Sequence, residues 1–420
     1  MSLNRVFWLV CASLTACGDL PGRRSQKTGS CDSQLVLPAG FCATVFADSL
    51  GALRHIAIRE NGDVYIARWD RPGSPGGLLA LRDTNADGRA DVARTVSNSG
   101  GSGIALTTSH VYMSTWTSVL RYPLSATGLG VTGRADTVLT GLPRSGHAGR
   151  SIALHAGSQL YVNIGAPTNS CQFEDKRPGS MGRDPCPERE SFAGVWHFDA
   201  RRLKQRQADG ERLVTGLRHA VALTVQTETG SLFAVQHGRD DLAENFPRIY
   251  DARRGQRLAA EAMYELRRGS DFGWPYCYYD DSLRRNVLSP EYGGDGVRSA
   301  RCASAPEPLV AFPAHWAPNG LHFYRGLNFP ERYRGGAFIA FHGGWYHPPP
   351  DNGFNVVFVP FRGSRPAGGF VVFADGFAGA QKRPNRARHR PVGLAEAPDG
   401  ALYLTDDQGS RVWRIAYTAP

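Results

Sequence analysis

Apolar and polar residues alternate along this chain in a recurring unit: a short apolar strand, a tight turn, and a second strand carrying an aromatic residue. The copies fall at residues 55–67, 103–114, 151–163, 220–236, 320–340 and 393–405. Period-two alternation broken by turns such as Asn61-Gly62 and Asp399-Gly400 predicts β-hairpins. Further apolar runs, at 119–122, 194–198 and 411–415, would add strands that complete a larger antiparallel unit. The unit recurs about every 46–48 residues in the first half and at longer intervals later, which makes 168–192 and 250–310 insertions. Radial repetition is the all-β way to close such a series, so the expected fold is a β-propeller. Six copies predict six blades with loop insertions on one face; seven blades is the alternative count.

Composition agrees with many short strands. The 420 residues include 49 Gly and 27 Pro, the residues of tight turns. A hydrophobic content of 41% excludes a disordered chain and a polytopic membrane protein. The formal charge is +10, and much of the excess lies in short runs at 201–204 and 382–390 that read as solvated loops. No nucleic-acid motif accompanies them.

The N-terminus predicts export. Arg5 precedes an apolar stretch, 6–14, that is too short to span a bilayer and ends in Leu14-Thr15-Ala16-Cys17, which resembles a bacterial lipobox. Residues 1–16 then form a lipoprotein signal peptide, Cys17 carries the lipid, and 17–34 form a tether. The remaining chain, 35–420, is the propeller, anchored to a bacterial membrane and facing the periplasm or the cell exterior. Of eight cysteines, Cys11 leaves with the signal and Cys17 is lipidated. Six remain as near neighbours in sequence, an even set that suggests disulfides without fixing their connectivity.

One loop carries a metal signal of its own. Asp83, Asn85, Asp87 and Asp91 occupy positions 1, 3, 5 and 9 of an EF-hand-type loop, with Gly88 at the sharp turn. Arg94 stands at position 12, where a bidentate Glu is usual. The expectation is a structural Ca²⁺ site between blades; an ion-free Asp/Asn/Gly turn is the other reading.

Six short motifs follow in fixed order: Gly146-His147-Ala148-Gly149-Arg150, Thr215-Gly216-Leu217-Arg218-His219, Gln236-His237-Gly238-Arg239-Asp240, Asp271-Phe272-Gly273-Trp274-Pro275, Ala317-Pro318-Asn319-Gly320 and Phe329-Pro330-Glu331 to Gly335. Together they resemble the soluble quinoprotein glucose/sorbosone (aldose sugar) dehydrogenases, over nearly the whole chain after residue 37. The resemblance implies a six-bladed propeller that holds pyrroloquinoline quinone (PQQ) and Ca²⁺ and oxidises an aldose by hydride transfer to the quinone. It makes His147 the general base, a residue type suited to neutral pH. Arg218 would steady charge on the quinone oxygens, with His219 beside it as a cofactor contact. Gly238 and Arg239 would give backbone carbonyls to Ca²⁺, a hard cation that takes oxygen ligands. Its partners would be a sugar and a respiratory electron acceptor.

Several positions depart from that pattern. His219 stands where Asn is usual, residues 343–347 replace a Gly-Ser-Trp-Asn-Arg segment, and Asn355 lies where many relatives have Lys. Basic groups there would pair with the acidic cofactor, and His342, His347 and Arg362 are candidate substitutes. Arg218 could instead pair with an inter-blade carboxylate. These departures leave an alternative, a non-catalytic propeller that binds carbohydrate or a partner protein and has lost the cofactor.

Overall fold

The computed structural model describes residues 30–144, 146–345 and 352–418. The segments expected to be a signal peptide and most of a tether, with Cys17, and also His347, lie outside the described residues. Six antiparallel four-stranded sheets follow one another along the chain, and they are the six expected blades. Their first strands are Leu53–Ile58, Gly101–Leu106, Ile152–His155, Ala222–Val225, Pro318–Phe323 and Pro391–Glu396. Each packs against the first strands of both neighbouring blades, so the six close a ring around a central channel. All six sequence copies coincide with a first strand and its hairpin partner.

Close approach in that ring depends on small residues. A Cβ on Gly320 would lie 2.2 Å from the Val392 carbonyl oxygen of the next blade. The apolar residues that alternate along the strands fill the wedges between blades. One wedge gathers Phe338, Phe358, Phe373 and Trp413 around Phe41, whose ring meets Phe329 edge-on at 4.8 Å.

Two features were not legible in the pattern. Blade 6 takes its outer strand from the N-terminal side of the chain: Phe41–Ala47 pairs with Val412–Tyr417, so the two ends of the propeller lock the ring. The span 250–310 is not one insertion, because Glu261–Glu265 is the third strand of blade 4. Its flanking carboxylates hide a strand that the structure buries. The insertions are therefore 165–193, 237–260 and 266–309.

These insertions converge on one end of the ring. Trp274 Nε1 donates to the Asn169 carbonyl, and the Cys186 amide donates to the Tyr276 hydroxyl. A buried ion pair, Arg239–Glu291, at 2.6 Å, joins the second insertion to the third. Disulfides Cys171–Cys186 and Cys277–Cys302 close loops inside them, and Cys31–Cys42 ties the start of the propeller to its closing strand. All three bonds link the near neighbours seen in the sequence.

Candidate functional site

First strands start at the end of the ring that the insertions cover, and polar side chains collect there. The opposite half of the channel is a cavity of about 280 Å³ walled by the first strands, where His322 and Glu396 meet at 3.3 Å. The chemistry lies at the covered mouth.

Four imidazoles, those of His55, His147, His219 and His237, ring the channel here. The rings of His147 and His219 have centroids 5.0 Å apart, as do those of His219 and His237. A Cβ on Gly165 would meet the His147 carbonyl oxygen at 2.6 Å and His219 Cδ2 at 3.0 Å, so glycine lets the strand end approach both rings. Each imidazole spends one nitrogen on a carbonyl. His147 Nδ1 donates to Ala166 at 2.6 Å, His219 Nε2 to Gly149 at 3.3 Å and His237 Nε2 to Pro318 at 3.0 Å. Across the channel, His55 Nε2 donates to Asn319 at 2.8 Å. A carbonyl can only accept, so these bonds fix the tautomers and leave Nε2 of His147 with its lone pair.

Burial, reinforced by the nearby Arg218 charge, pushes His147 down to about 3. Burial also lowers His237 to about 4, and His219 falls well below its ordinary value. Burial thus favours the neutral form of all three rings.

Beside it stands an ionic cluster. Arg218 donates from Nη1 to the Gly238 carbonyl and from Nη2 to Asp240 Oδ2, both at 2.8 Å. Asp240 Oδ1 also faces His315 Nδ1 at 3.1 Å. Burial alone would raise the Asp240 carboxyl, but Arg218 and His315 outweigh it and hold it well below the usual range. His315 Nε2 faces the Gly255 carbonyl, so both its nitrogens meet acceptors; burial opposes its charge, yet Asp240 prevails and its pKa rises. Behind them, the buried Glu261 accepts the amides of Gly238 and Ala317.

A second ionic cluster comes from blades 1, 5 and 6. Buried Asp407 accepts Arg54 at 3.0 Å, Arg71 at 2.9 Å and His342 Nε2 at 2.8 Å. Arg390 donates to the carbonyls of His342 and Gly343. This corrects the reading of 382–390 as a solvated run: Arg390 is half-buried, and burial pushes it down to about 10. Arg54, Arg71, Arg390, Asp240 and Asp407 were missed in the sequence. The available signal was the Arg54-His55 dipeptide that opens the first repeat.

Sequence candidates divide accordingly. His147, Arg218, His219, Gly238 and Arg239 come together at the mouth. Arg218 has the carboxylate partner that the structural reading called for, on the loop that begins the second insertion. Arg239 turns inward to Glu291. His342 is at the mouth, whereas Arg362 lies at the other end, in the turn whose Gly363 carbonyl accepts Gln226. Asn355 is buried, and its side-chain oxygen has no partner among the described residues.

The loop of Asp83, Asn85, Asp87 and Asp91 lies inside blade 1, between strands Gly77–Arg82 and Val92–Ser97, and not between blades. Its own groups close it: Asp83 accepts the amides of Asp87 and Gly88, Asn85 bonds Asp87, and Asp91 accepts Thr84. Among the described residues, no group of three or more His, Cys, Asp or Glu is arranged to hold a metal ion.

A family model described as TrAA12-like matches residues 35–418. The holo form of the pyranose dehydrogenase PQQ domain from Coprinopsis cinerea superposes with a TM-score of 0.73, over 92% of this chain and 99% of that one, at 20% identity. The calcium structure of a Trichoderma reesei carbohydrate-active enzyme of family AA12 gives 0.75, over 94% and 99%, at 18% identity. The soluble aldose sugar dehydrogenase of Escherichia coli, in its apo form, gives 0.57, over 90% and 99%, at 14% identity. At these identities the likeness shows the shared propeller. An uncharacterized protein of Borreliella burgdorferi is 27% identical over 273 residues, which is 64% of this chain and 61% of its own length.

Proposed function

The chain belongs to the TrAA12-like family, and from that membership we propose that it is a PQQ-dependent sugar oxidoreductase with His147 as general base. The observation that carries the reading is the charge balance of the mouth. Arg54, Arg71, Arg218 and Arg390 meet three carboxylates, Asp240, Asp406 and Asp407, while burial favours the neutral form of His147, His219 and His237 between them. The surplus is cationic and flanks a tier of tilted imidazoles. Nε of Arg54 and Nε of Arg218 are buried with no partner among the described residues. Such a donor set suits a planar polyanion with several carboxylates.

Arg54, Arg71 and Arg390 would hold the carboxylates of PQQ, a role the sequence had left open once Asn355 replaced a Lys. PQQ bound there would supply the hydride acceptor for oxidation of the sugar. The chain supplies the rest. His147 Nε2 receives the proton of the substrate hydroxyl, with Nδ1 held by Ala166 so that the lone pair cannot move. Arg218 is held by Asp240 and Gly238 and presents a fixed positive charge to oxygen that gains negative charge. For Ca²⁺, the Gly238 carbonyl keeps a second lone pair beyond the one taken by Arg218.

The second reading, a propeller without the cofactor, is favoured by one observation: both terminal nitrogens of Arg218 already have partners. The test is reconstitution. Purified protein given Ca²⁺ and PQQ should show saturable quinone absorbance changes and reduce an artificial dye when aldoses are added. Quinone binding without turnover over a broad sugar panel rejects the oxidoreductase, and no saturable binding rejects the cofactor as well.

A further inference from the structure

Around Trp345 the surface combines an exposed indole with a run of arginines. Trp345 follows the second strand of blade 5, Ala337–Phe341, and is 54% exposed. Beside it runs the link from the outer strand of blade 5, Val371–Ala374, to the first strand of blade 6. Trp345, Lys382, Arg383, Asn385 and Arg386 line one open hollow of about 560 Å³. Backbone bonds pin the link: the Arg386 and Ala387 amides donate to the Arg383 carbonyl, and the Arg388 amide donates to the Ala378 carbonyl. Phe377, Ala378 and Ala387 are buried beneath it, which leaves Arg383, Arg386 and Arg388 on the outside. Lys382 pairs with Asp375 at 3.0 Å and Arg386 reaches Gln381 at 3.4 Å, but none of the three arginines meets a carboxylate among the described residues. The N-terminal segment joins the fold at the same place. Val36, 69% exposed, exchanges two backbone bonds with Asp375, and a Cβ on Gly376 would lie 2.2 Å from the Gln34 carbonyl oxygen. Strands alternate in direction, so these ends of blades 5 and 6 lie at the same end of the ring as the mouth.

We propose that Trp345, Arg383, Arg386 and Arg388 dock this end of the propeller on an anionic lipid bilayer. The occupant follows from the chemistry of the patch. Arginines without carboxylate partners are free to meet lipid phosphates, and each adds to attraction by a negative membrane surface. An indole has an apolar body and a polar N–H, so it settles at the level of the headgroups. A soluble polyanion would need the arginines alone and gives no reason for an exposed indole among them. The expected lipid on Cys17 fits the same placement, because residues 17–34 would leave the fold beside Asp375 and bring tether and patch to one bilayer. Docking turns the mouth, with Arg390 behind the same link, toward the lipid. It requires neither the quinone nor a sugar, and so stands apart from the oxidoreductase reading.

The test is co-sedimentation of the full chain with vesicles of phosphatidylcholine alone and with vesicles holding about 30 mol% phosphatidylglycerol. A lipid or apolar segment at the N-terminus contributes to both compositions, so the preference for anionic vesicles reads the patch. The parent should prefer them by about 100-fold at low salt, and Arg383→Ala, Arg386→Ala and Arg388→Ala should each reduce that preference by about 5-fold. Ionic strength of about 0.5 M should remove most of it. Trp345→Ala should weaken binding to both compositions by about 3–10-fold. The control is a triple variant, Arg201→Ala with Arg202→Ala and Lys204→Ala, which removes the same charge beyond the far end of the strand Gly194–Asp199. It should keep the preference. Thermal midpoints identify any variant that fails to fold, and the single arginine variants stand without the combined ones. No anionic preference in the folded parent, or equal losses in the control and in the combined 383, 386 and 388 variant, overturns the docking surface. Binding of dextran sulfate without binding of vesicles overturns it as well, and assigns the arginines to a soluble polyanion.

Discussion

Arg218 Nη2 donates to Asp240 Oδ2 at 2.8 Å, and the same carboxylate group faces His315 through its other oxygen. Asp240 thus anchors an arginine and a histidine in the mouth with one group. Asp240→Asn keeps the shape and removes the charge. Breaking a buried pair costs about 3–5 kcal/mol, but the Asp240 side chain is 27% exposed. The expected loss is therefore on the order of 2 kcal/mol. Urea unfolding measures it, and an unchanged midpoint would show that Arg218 is held elsewhere.

His147 is a different kind of residue, because its one described side-chain bond, to Ala166, orients the ring without bracing a blade. His147→Ala should lower dye-linked sugar oxidation by about 10²–10⁴-fold, the usual span for a general base, with a small change in stability. His147→Gln cannot take the proton and should be as inactive. Activity within tenfold of the parent in both variants removes His147 from the reaction.

The repeats were legible because alternation is a local signal, written within each hairpin. The disulfides were legible as candidates for the same reason, since each closes between cysteines near in sequence. Features that join distant segments were not. Arg54 and Asp407 stand 353 residues apart, and the strand Phe41–Ala47 finds its partner at the other end of the chain. Glu261–Glu265 was missed because a buried carboxylate imitates a surface residue until its amide donors are known. Arg390 was hidden in a basic run whose neighbours Arg383, Arg386 and Arg388 are exposed. The motifs located half of the site; its other half, the arginines around Asp407, is built from residues far apart in sequence.

That second half makes a distinct prediction. If Arg390 and Arg54 hold the carboxylates of PQQ, Arg390→Ala should weaken quinone affinity by about 10–100-fold, the equivalent of a charge-assisted hydrogen bond of roughly 1.5–3 kcal/mol. Arg390→Lys should recover only part, since a point charge cannot reproduce the planar fork. Absorbance titration reads the affinity directly. An Arg362→Ala variant, altered at the far end of the channel, is the control and should bind as the parent does.

Glu261 sets a pH dependence that catalysis does not share. Burial pushes its carboxyl up to about 7, against the amides of Gly238 and Ala317 that favour its charged form and with Asp240 and His315 nearby. In the unfolded chain a glutamate titrates near ~4.3. Between these values the folded protein holds a proton that the unfolded chain has released, so stability falls as pH rises through the window. The contribution is complete below about pH 4 and lost above about pH 7, with an upper bound of roughly 4 kcal/mol. Thermal midpoints taken from pH 5 to 8 should therefore decline more steeply in the parent than in Glu261→Gln, where that proton is absent from both states. Parallel profiles would mean that Glu261 stays charged, held by its two amide donors despite its burial. In that case the Gly238 loop would rest on a buried anion, and the same variant would instead lose stability equally at every pH.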